Sequence, residues 1–303
     1  VPTPRRRFLA VPYPDPPMRN LGRIKPLLER GGIDVLAGVR LVLDTEAVAA
    51  TREAMLHALQ GKTDPFDEAA AIRQELEHAW FCQGIVAVNE HEAAILRDIG
   101  LSGVHVLGHM RDLALTPRPW AERAGLLFVG AFRERETPNY DSLCWFVDEV
   151  LPLVERELGH ETRLTIVGSM AEGVDLARFR DHPRITLRGE VGDTVPLYGS
   201  HRVFIAPTRY AAGVPYKVHE ATSHGLPVVT TELLRGQLGW ESQRDLMAAR
   251  ASDPAAFANA VVTLYRSETL WTTIRDNAAE RIRTTCGQDT YQEALTRILD
   301  QRC

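Results

Sequence analysis

Residues 202–231 read RVFIAPTRYAAGVPYKVHEATSHGLPVVTT, and this stretch decides the fold. Val203–Ala206 is an apolar run closed by Pro207, and Pro227–Val229 opens a second one. Short uninterrupted apolar runs fit strands buried on both faces of a parallel sheet. Between them lies a helical segment, Lys217–His224, stopped by Gly225. Strand, loop, helix and strand make a βαβ unit. Its first loop falls at the carboxyl end of a strand, where open α/β sheets bind ligands. That loop carries Arg209 and Gly213, while Lys217 and Glu220 sit three apart on one face of the helix. An ammonium beside backbone amides at a helix start suits a phosphate, and a nearby carboxylate suits sugar hydroxyls. The same spacing equally describes a surface ion pair of little energetic weight. Both readings stand at this point.

Upstream of this unit the pattern repeats. Leu126–Val129 reads as a strand ending at Gly130, Leu164–Val167 as one ending at Gly168, and Ile185–Leu187 as one reaching Gly189. A polar loop leads to Thr137-Pro138, an N-cap and first-turn pair for a helix with the stripe Leu143, Phe146, Val147, Val150, Leu151 and Val154. Leu246–Ala249 reads as a last strand, Asp253-Pro254 starts a helix, and helices around 271–283 and 290–299 finish the chain. Alternating strands and helices predict a doubly wound parallel sheet, with four loops converging on its carboxyl edge.

The first third is less regular. Arg7–Val11 reads as a strand among prolines, and Leu21–Arg30 as a helix interrupted at Pro26 and closed by Gly31-Gly32. Ile33–Leu36 and Arg40–Leu43 are both strand-like, with only three residues between them. That gap is far below the dozen or so residues of a parallel crossover. Either the two pair antiparallel or intervening residues are absent, and the second reading is preferred. Helices are predicted over 44–59, 67–81 and 89–99, the last with Asn89 as N-cap, and strands over 84–88 and 104–107. Thr116–Trp120, with two prolines, reads as a linker between domains 1–115 and 116–303.

Composition narrows the function classes. A chain of 303 residues is long enough for two domains, and 45% hydrophobic with 25% charged residues describes a globular protein. A net charge of −5 argues against nucleic acid as partner. No apolar run approaches the ~20 residues needed to span a bilayer. Arg5–Arg7 followed by Phe8–Val11 is too short for a signal segment. Cys82, Cys144, Cys286 and Cys303 lack metal or redox spacing, so the cytosol is the economical location. The ten histidines show no metal-binding spacing, and no serine triad or phosphate-cradling loop motif occurs. No metal is expected.

Glu220 followed by Ala221 and Gly225-Leu226-Pro227-Val228-Val229 resembles the nucleotide-sugar signature of retaining glycosyltransferases of family four (group 1), which have the GT-B fold. The first Glu of that signature would fall at Ala212. A branch with Gly-x-x-x-Lys-x-x-Glu is closer, matched here by Gly213, Lys217 and Glu220. The resemblance runs through FVGAFRERETPNYDSLCWFVDEVLPLV, TIVGS and LRGEVGD, roughly residues 124–300. Gly108, His109, Met110, Arg111 and Asp112 stand where the family often has an Asn-Gly-Val-Asp turn entering the linker.

This resemblance implies an α/β, GT-B-like architecture: two Rossmann-like domains facing across a cleft, the amino-terminal acceptor-side one abbreviated, with the final helices crossing back. It implies transfer of a sugar, with retention, from a nucleotide diphosphate donor to a saccharide or lipid-linked hydroxyl acceptor, in bacterial surface glycan or glycoconjugate assembly. The donor is a substrate, and no cofactor is implied. Lys217 and Glu220 would form the catalytic pair, with Gly130, Arg133, Asn139, Gly168, Val191, Arg209, Gly213 and Val214 also on the donor. Ala212 keeps a non-catalytic nucleotide-sugar-binding or scaffold relative open, and a sugar-nucleotide epimerase on the same fold is a further alternative. The implied location is cytoplasmic, with association at the inner face of a membrane and membership in a larger protein or complex left open.

Overall fold

The computed structural model describes residues 7–11, 39–77, 79, 82–135, 137–159 and 162–300. The helix expected over 21–30 and the strand over 33–36 lie outside them. The chain divides into two compact units. One holds the chain up to His109 together with Tyr210–Val214 and the chain from Tyr291 on; the other holds Met110–Arg209 and Pro215–Thr290.

The first unit contains a parallel sheet of four described strands, in the order β1 (Arg7–Val11), β2 (Val39–Asp44), β3 (Gly84–Ala87) and β4 (Val104–Val106). Arg7 is paired with Val39 and Val11 with Leu43, so β1 and β2 run parallel. Helices α1 (Ala49–Leu59), α2 (Glu68–Glu75) and α3 (Glu90–Asp98) accompany them. Leu43, Ile85 and Ala87 from the sheet pack with Val48, Ile72 and Leu96 in one apolar cluster. Asn89 caps α3 as its sequence predicts, accepting from the Glu92 amide at 2.7 Å.

The start of α1 is built differently. The helix expected from Asp44 begins at Ala49, because Asp44 completes β2 and pairs with Val86. Its N-cap residue, Val48, has no side-chain acceptor to offer. Two carboxylates from elsewhere take that part. Glu92 accepts from the Val48 amide at 3.0 Å, and Glu75 accepts from the Ala49 and Ala50 amides at 2.9 and 2.8 Å. These are the amides a helix leaves unsatisfied, and negative charge there complements the helix dipole. Glu75→Ala is expected to lower stability by about 1–2 kcal/mol, the usual cost of losing a cap. A urea melt followed by circular dichroism measures it; an unchanged midpoint would show that water replaces the carboxylate without loss.

The second unit carries six described parallel strands: β5 (Leu126–Val129), β6 (Leu164–Val167), β7 (Ile185–Leu187), β8 (Val203–Ala206), β9 (Val228–Thr231) and β10 (Met247–Ala249). Their spatial order is β10-β9-β8-β5-β6-β7. From β5 the chain builds outward to β7, then returns to β8 on the other side of β5 and builds outward again. The reversal between β5 and β8 is a topological switch point, and ligands of open α/β sheets bind outside the carboxyl ends of the strands there.

Beyond the loop after β5, helix α4 (Pro138–Trp145), a π-helical turn (Phe146–Val150) and α5 (Leu151–Leu158) run on without a break. The sequence reads as one plain helix, and Pro152 explains the difference. Proline has no N–H for the carbonyl one turn back and its ring crowds that carbonyl, so a widened turn relieves the conflict. All six residues of the expected stripe are nevertheless buried. Thr137 precedes α4 but does not cap it: its hydroxyl donates to the Glu134 carbonyl at 2.9 Å. The remaining helices are α6 (Ala177–Arg180), α7 (Val195–Ser200), α8 (Tyr216–Ser223), α9 (Glu232–Leu238), α10 (Pro254–Arg266), α11 (Glu268–Thr285) and α12 (Gln288–Asp300). Asp253 caps α10 through the Ala256 amide at 2.8 Å. None of the described helices is long and apolar enough to cross a membrane.

Candidate functional site

The glycines at the carboxyl ends of β5, β6 and β7 lie on adjacent rungs. Gly130 donates to the Val167 carbonyl and Gly168 to the Gly189 carbonyl, each at 2.9 Å. Gly168 has φ +147°, and a Cβ there would lie 2.0 Å from the Gly130 carbonyl oxygen. A Cβ on Gly130 would lie 2.8 Å from Nδ2 of Asn139. Gly168 needs glycine because the Gly130 backbone occupies the space, so these two strand ends lie close together, whereas at Gly130 it is the Asn139 side chain that a Cβ would displace.

Asn139, in the first turn of α4, links this edge to the signature helix. Its Nδ2 donates to the Ala131 carbonyl at 2.9 Å, which leaves Oδ1 facing outward as an acceptor. Lys217, the second residue of α8, donates to that Oδ1. Its Nζ also sits 4.7 Å from the centre of the Phe128 ring, over the end of β5. Among the described residues no carboxylate pairs with Lys217. A ring face and one amide dipole attract the ammonium but leave its charge uncompensated. Burial pushes its pKa down to about 8. An ammonium with donors to spare, drawn partly out of water beside a switch point, can bind an anion.

Glu220 points elsewhere, and the expected possibility of a Lys217–Glu220 ion pair is not realised. Its Oε1 lies 3.5 Å from Nη2 of Arg111. Arg111 reaches four residues of the signature segment. Nε donates to Ser223 Oγ at 3.0 Å, Nη1 to the Tyr216 hydroxyl at 2.6 Å, and Nη2 lies 3.3 Å from His224 Nε2. Positions 216, 220, 223 and 224 form one helical face. An Arg side chain only donates, so His224 Nε2 is the acceptor and its proton sits on Nδ1, which meets the Ala114 carbonyl at 3.1 Å. The strand of chain after Arg111 closes the carboxyl end of α8: the Ala114 and Thr116 amides donate to the Ser223 and His224 carbonyls at 2.9 and 3.1 Å. Tyr198 is buried beside this group and stacks on His224 with ring centres 5.0 Å apart. Burial, and then the Glu220 carboxylate that its hydroxyl faces, push its phenol above the ordinary value.

The other residues named by the sequence divide as follows. Arg209 forms a two-pronged pair with Asp141 of α4, its Nε donating to Oδ2 at 2.9 Å. Arg133 is exposed on the loop after β5, and Val191 is half-buried on the loop after β7. Gly213 and Val214 belong to the first unit. There Gly213, at φ +78°, packs so closely that a Cβ would lie 2.9 Å from both Ala47 Cβ and the Glu46 carbonyl oxygen. Its own carbonyl accepts from Asn89 Nδ2 at 3.0 Å. The structure thus brings together Gly130, Asn139, Gly168 and Lys217, sets Glu220 one turn along the same helix, and puts Gly213 and Val214 with other neighbours. Sequence alone does not mark Phe128, Asp141 and Arg111 as site residues. Phe128 is written into a strand as a core residue, and only the position of Arg111 beside the linker distinguishes it from other arginines. Among the described residues, no group of three or more histidine, cysteine or acidic side chains could hold a metal ion.

Residues 123–267 match the family model described as glycosyl transferases group 1. No curated protein sequence matches the chain. Solved structures with the same fold include Staphylococcus aureus TarM in complex with fondaparinux, alpha-GlcNAc-glycerol and UDP. That one is 13% identical with a TM-score of 0.69 over 87% of this chain and 51% of its own. Sucrose-phosphate synthase from Thermosynechococcus elongatus is 15% identical, with a TM-score of 0.67 over 92% of this chain and 70% of its own. Anabaena HepE in complex with UDP-glucose is 13% identical, with a TM-score of 0.66 over 91% and 77%. The chain spans 51% and 58% of the two TarM chains, little more than half their length. It has the GT-B fold, with four described strands in its first sheet against six in its second. Family match and fold together support a glycosyltransferase family.

Proposed function

We propose that this chain transfers a sugar, with retention of configuration, from a nucleotide diphosphate donor to a saccharide or lipid-linked hydroxyl, in bacterial surface glycan assembly. The observation that carries the reading is Lys217: a partly desolvated ammonium that pairs with no carboxylate among the described residues, held by Asn139 over Phe128 at the switch point of the second sheet. Breaking the bond from the anomeric carbon to the diphosphate oxygen develops negative charge on the leaving group. A fixed cation in a low-dielectric site stabilises such charge at no reorganisation cost during the reaction. Glu220 accepts from the donor's ribose hydroxyls, two neighbouring donors that one carboxylate can serve. TarM and HepE, in complexes with UDP and UDP-glucose, share the fold and support a nucleotide-bound site of this kind. Association with a membrane face belongs to this proposal.

Ala212 favours a second reading, in which the site binds nucleotide-sugar without transferring it. Incubation of the chain with a panel of radiolabelled nucleotide-diphosphate sugars and glycan acceptors separates the two. Transfer with the anomeric configuration kept supports the first reading. Saturable binding without release of nucleotide diphosphate supports the second, and neither binding nor turnover across the panel overturns both.

A further inference from the structure

We propose that Arg111 is a positioning residue for Glu220, setting the direction of that carboxylate and hence the discrimination between ribose and deoxyribose in the bound nucleotide. The inference rests on the reading of Glu220 as the ribose-binding group. Lys217 is the nearer candidate to hold Glu220, three residues back on the same helix, but it is turned toward Asn139. Arg111 takes its place from outside the helix, with an Nη2–Oε1 separation of 3.5 Å. This separation is long for a hydrogen bond, so the charge attracts the carboxylate while leaving its lone pairs available.

The guanidinium itself is fixed from three sides. Ser223 Oγ and the Tyr216 hydroxyl accept from Nε and Nη1 at 3.0 and 2.6 Å. Ser223 spends its own proton on the Glu220 carbonyl at 2.8 Å, so toward Arg111 it can only accept. His224 Nε2 receives the remaining fork, and the Arg111 backbone amide is tied to the Cys286 carbonyl at 2.8 Å. A planar fork held at these points has one orientation, which a lysine cannot reproduce. Arg111 and Glu220 are both mostly buried, with side chains 19% and 25% exposed, so the pair is not a freely solvated one.

Calorimetric titration with UDP, ADP and GDP, each paired with its 2′-deoxy form, and with inorganic pyrophosphate tests this. Glu220→Gln is expected to abolish the preference for ribose. Arg111→Ala is expected to reduce that preference by roughly tenfold, the scale of a charge-assisted contact, with a smaller loss of pyrophosphate affinity, which reports Lys217. The double variant loses no more than Glu220→Gln alone. Arg111→Lys keeps a charge without the fork, and the reduced preference is expected there as well, which covers the case in which the alanine variant does not fold. An unchanged ribose preference in Arg111→Lys overturns the proposal. So does an equally large loss of pyrophosphate affinity, which would mean that Arg111 merely holds α8 in place. A wild-type protein that binds pyrophosphate but shows no ribose preference removes the role of Glu220, and this inference with it, whereas failure to bind any nucleotide overturns the proposed function itself.

Discussion

Replacing Lys217 with alanine is expected to weaken nucleotide diphosphate binding by at least about tenfold and to leave nucleoside binding nearly unchanged. Each hydrogen bond from a charged group contributes about 1.5–3 kcal/mol, so losing one or two spans about one to several decades of affinity. The ammonium is poised for the effect, since its surroundings hold it without neutralising it. The pH dependence follows from a pKa pushed down to about 8. Above that pH the free site becomes neutral, so wild-type affinity for a diphosphate should fall between about pH 8 and 10 while Lys217→Ala stays flat. Stability moves the opposite way. The folded protein gives up this proton before the unfolded chain does, so the cost of burying the charge is present below about 8 and is relieved as pH rises toward the ordinary lysine value. Calorimetric titration at pH 7 and pH 9.5 reads the binding arm. Equal affinities for the wild type and the variant at pH 7 would return Lys217 to the status of a structural cation.

The second large effect is on stability. Gly168→Ala is expected either to prevent folding of the second unit or to cost more than about 4 kcal/mol, a range that point substitutions seldom reach. The added methyl would lie 2.0 Å from the Gly130 carbonyl oxygen and 2.6 Å from its carbon, and φ +147° is a region alanine avoids. Moving the Gly130 peptide aside disturbs its bond to Val167 and the end of β5, above which Lys217 sits. Gly192→Ala is the control: a Cβ there meets nothing within 4 Å. Denaturant melts of the two variants should differ widely. A Gly168→Ala midpoint equal to that of Gly192→Ala would show that the two strand ends separate readily.

The second sheet is legible in sequence because its inner strands are buried on both faces and its strands are therefore written as short apolar runs. β5, β6, β7, β8 and β10 lie where those runs lie. The shared face of Lys217 and Glu220 also follows from spacing. Their divergence does not, because it is imposed by partners from distant sequence: Asn139, 78 positions upstream, and Arg111 beside the linker. Gly213 shows a different limit. A glycine signals that something comes close without saying what, and here it is the Glu46–Ala47 backbone and side chain. The boundary of α1 escaped for a similar reason. Its caps, Glu75 and Glu92, lie on other helices, and no local pattern of N-cap residues marks the start.

That start has a consequence for how the protein meets inorganic anions. Exposed amides at a helix beginning are ordinarily a landing place for phosphate or sulfate. At Val48, Ala49 and Ala50 the protein has filled the place with its own Glu92 and Glu75. A phosphate arriving there would have to evict a carboxylate already held by the chain and would face the repulsion of both. Protection of the fold against heat by added phosphate should therefore run through Lys217, and it should vanish when that ammonium is removed.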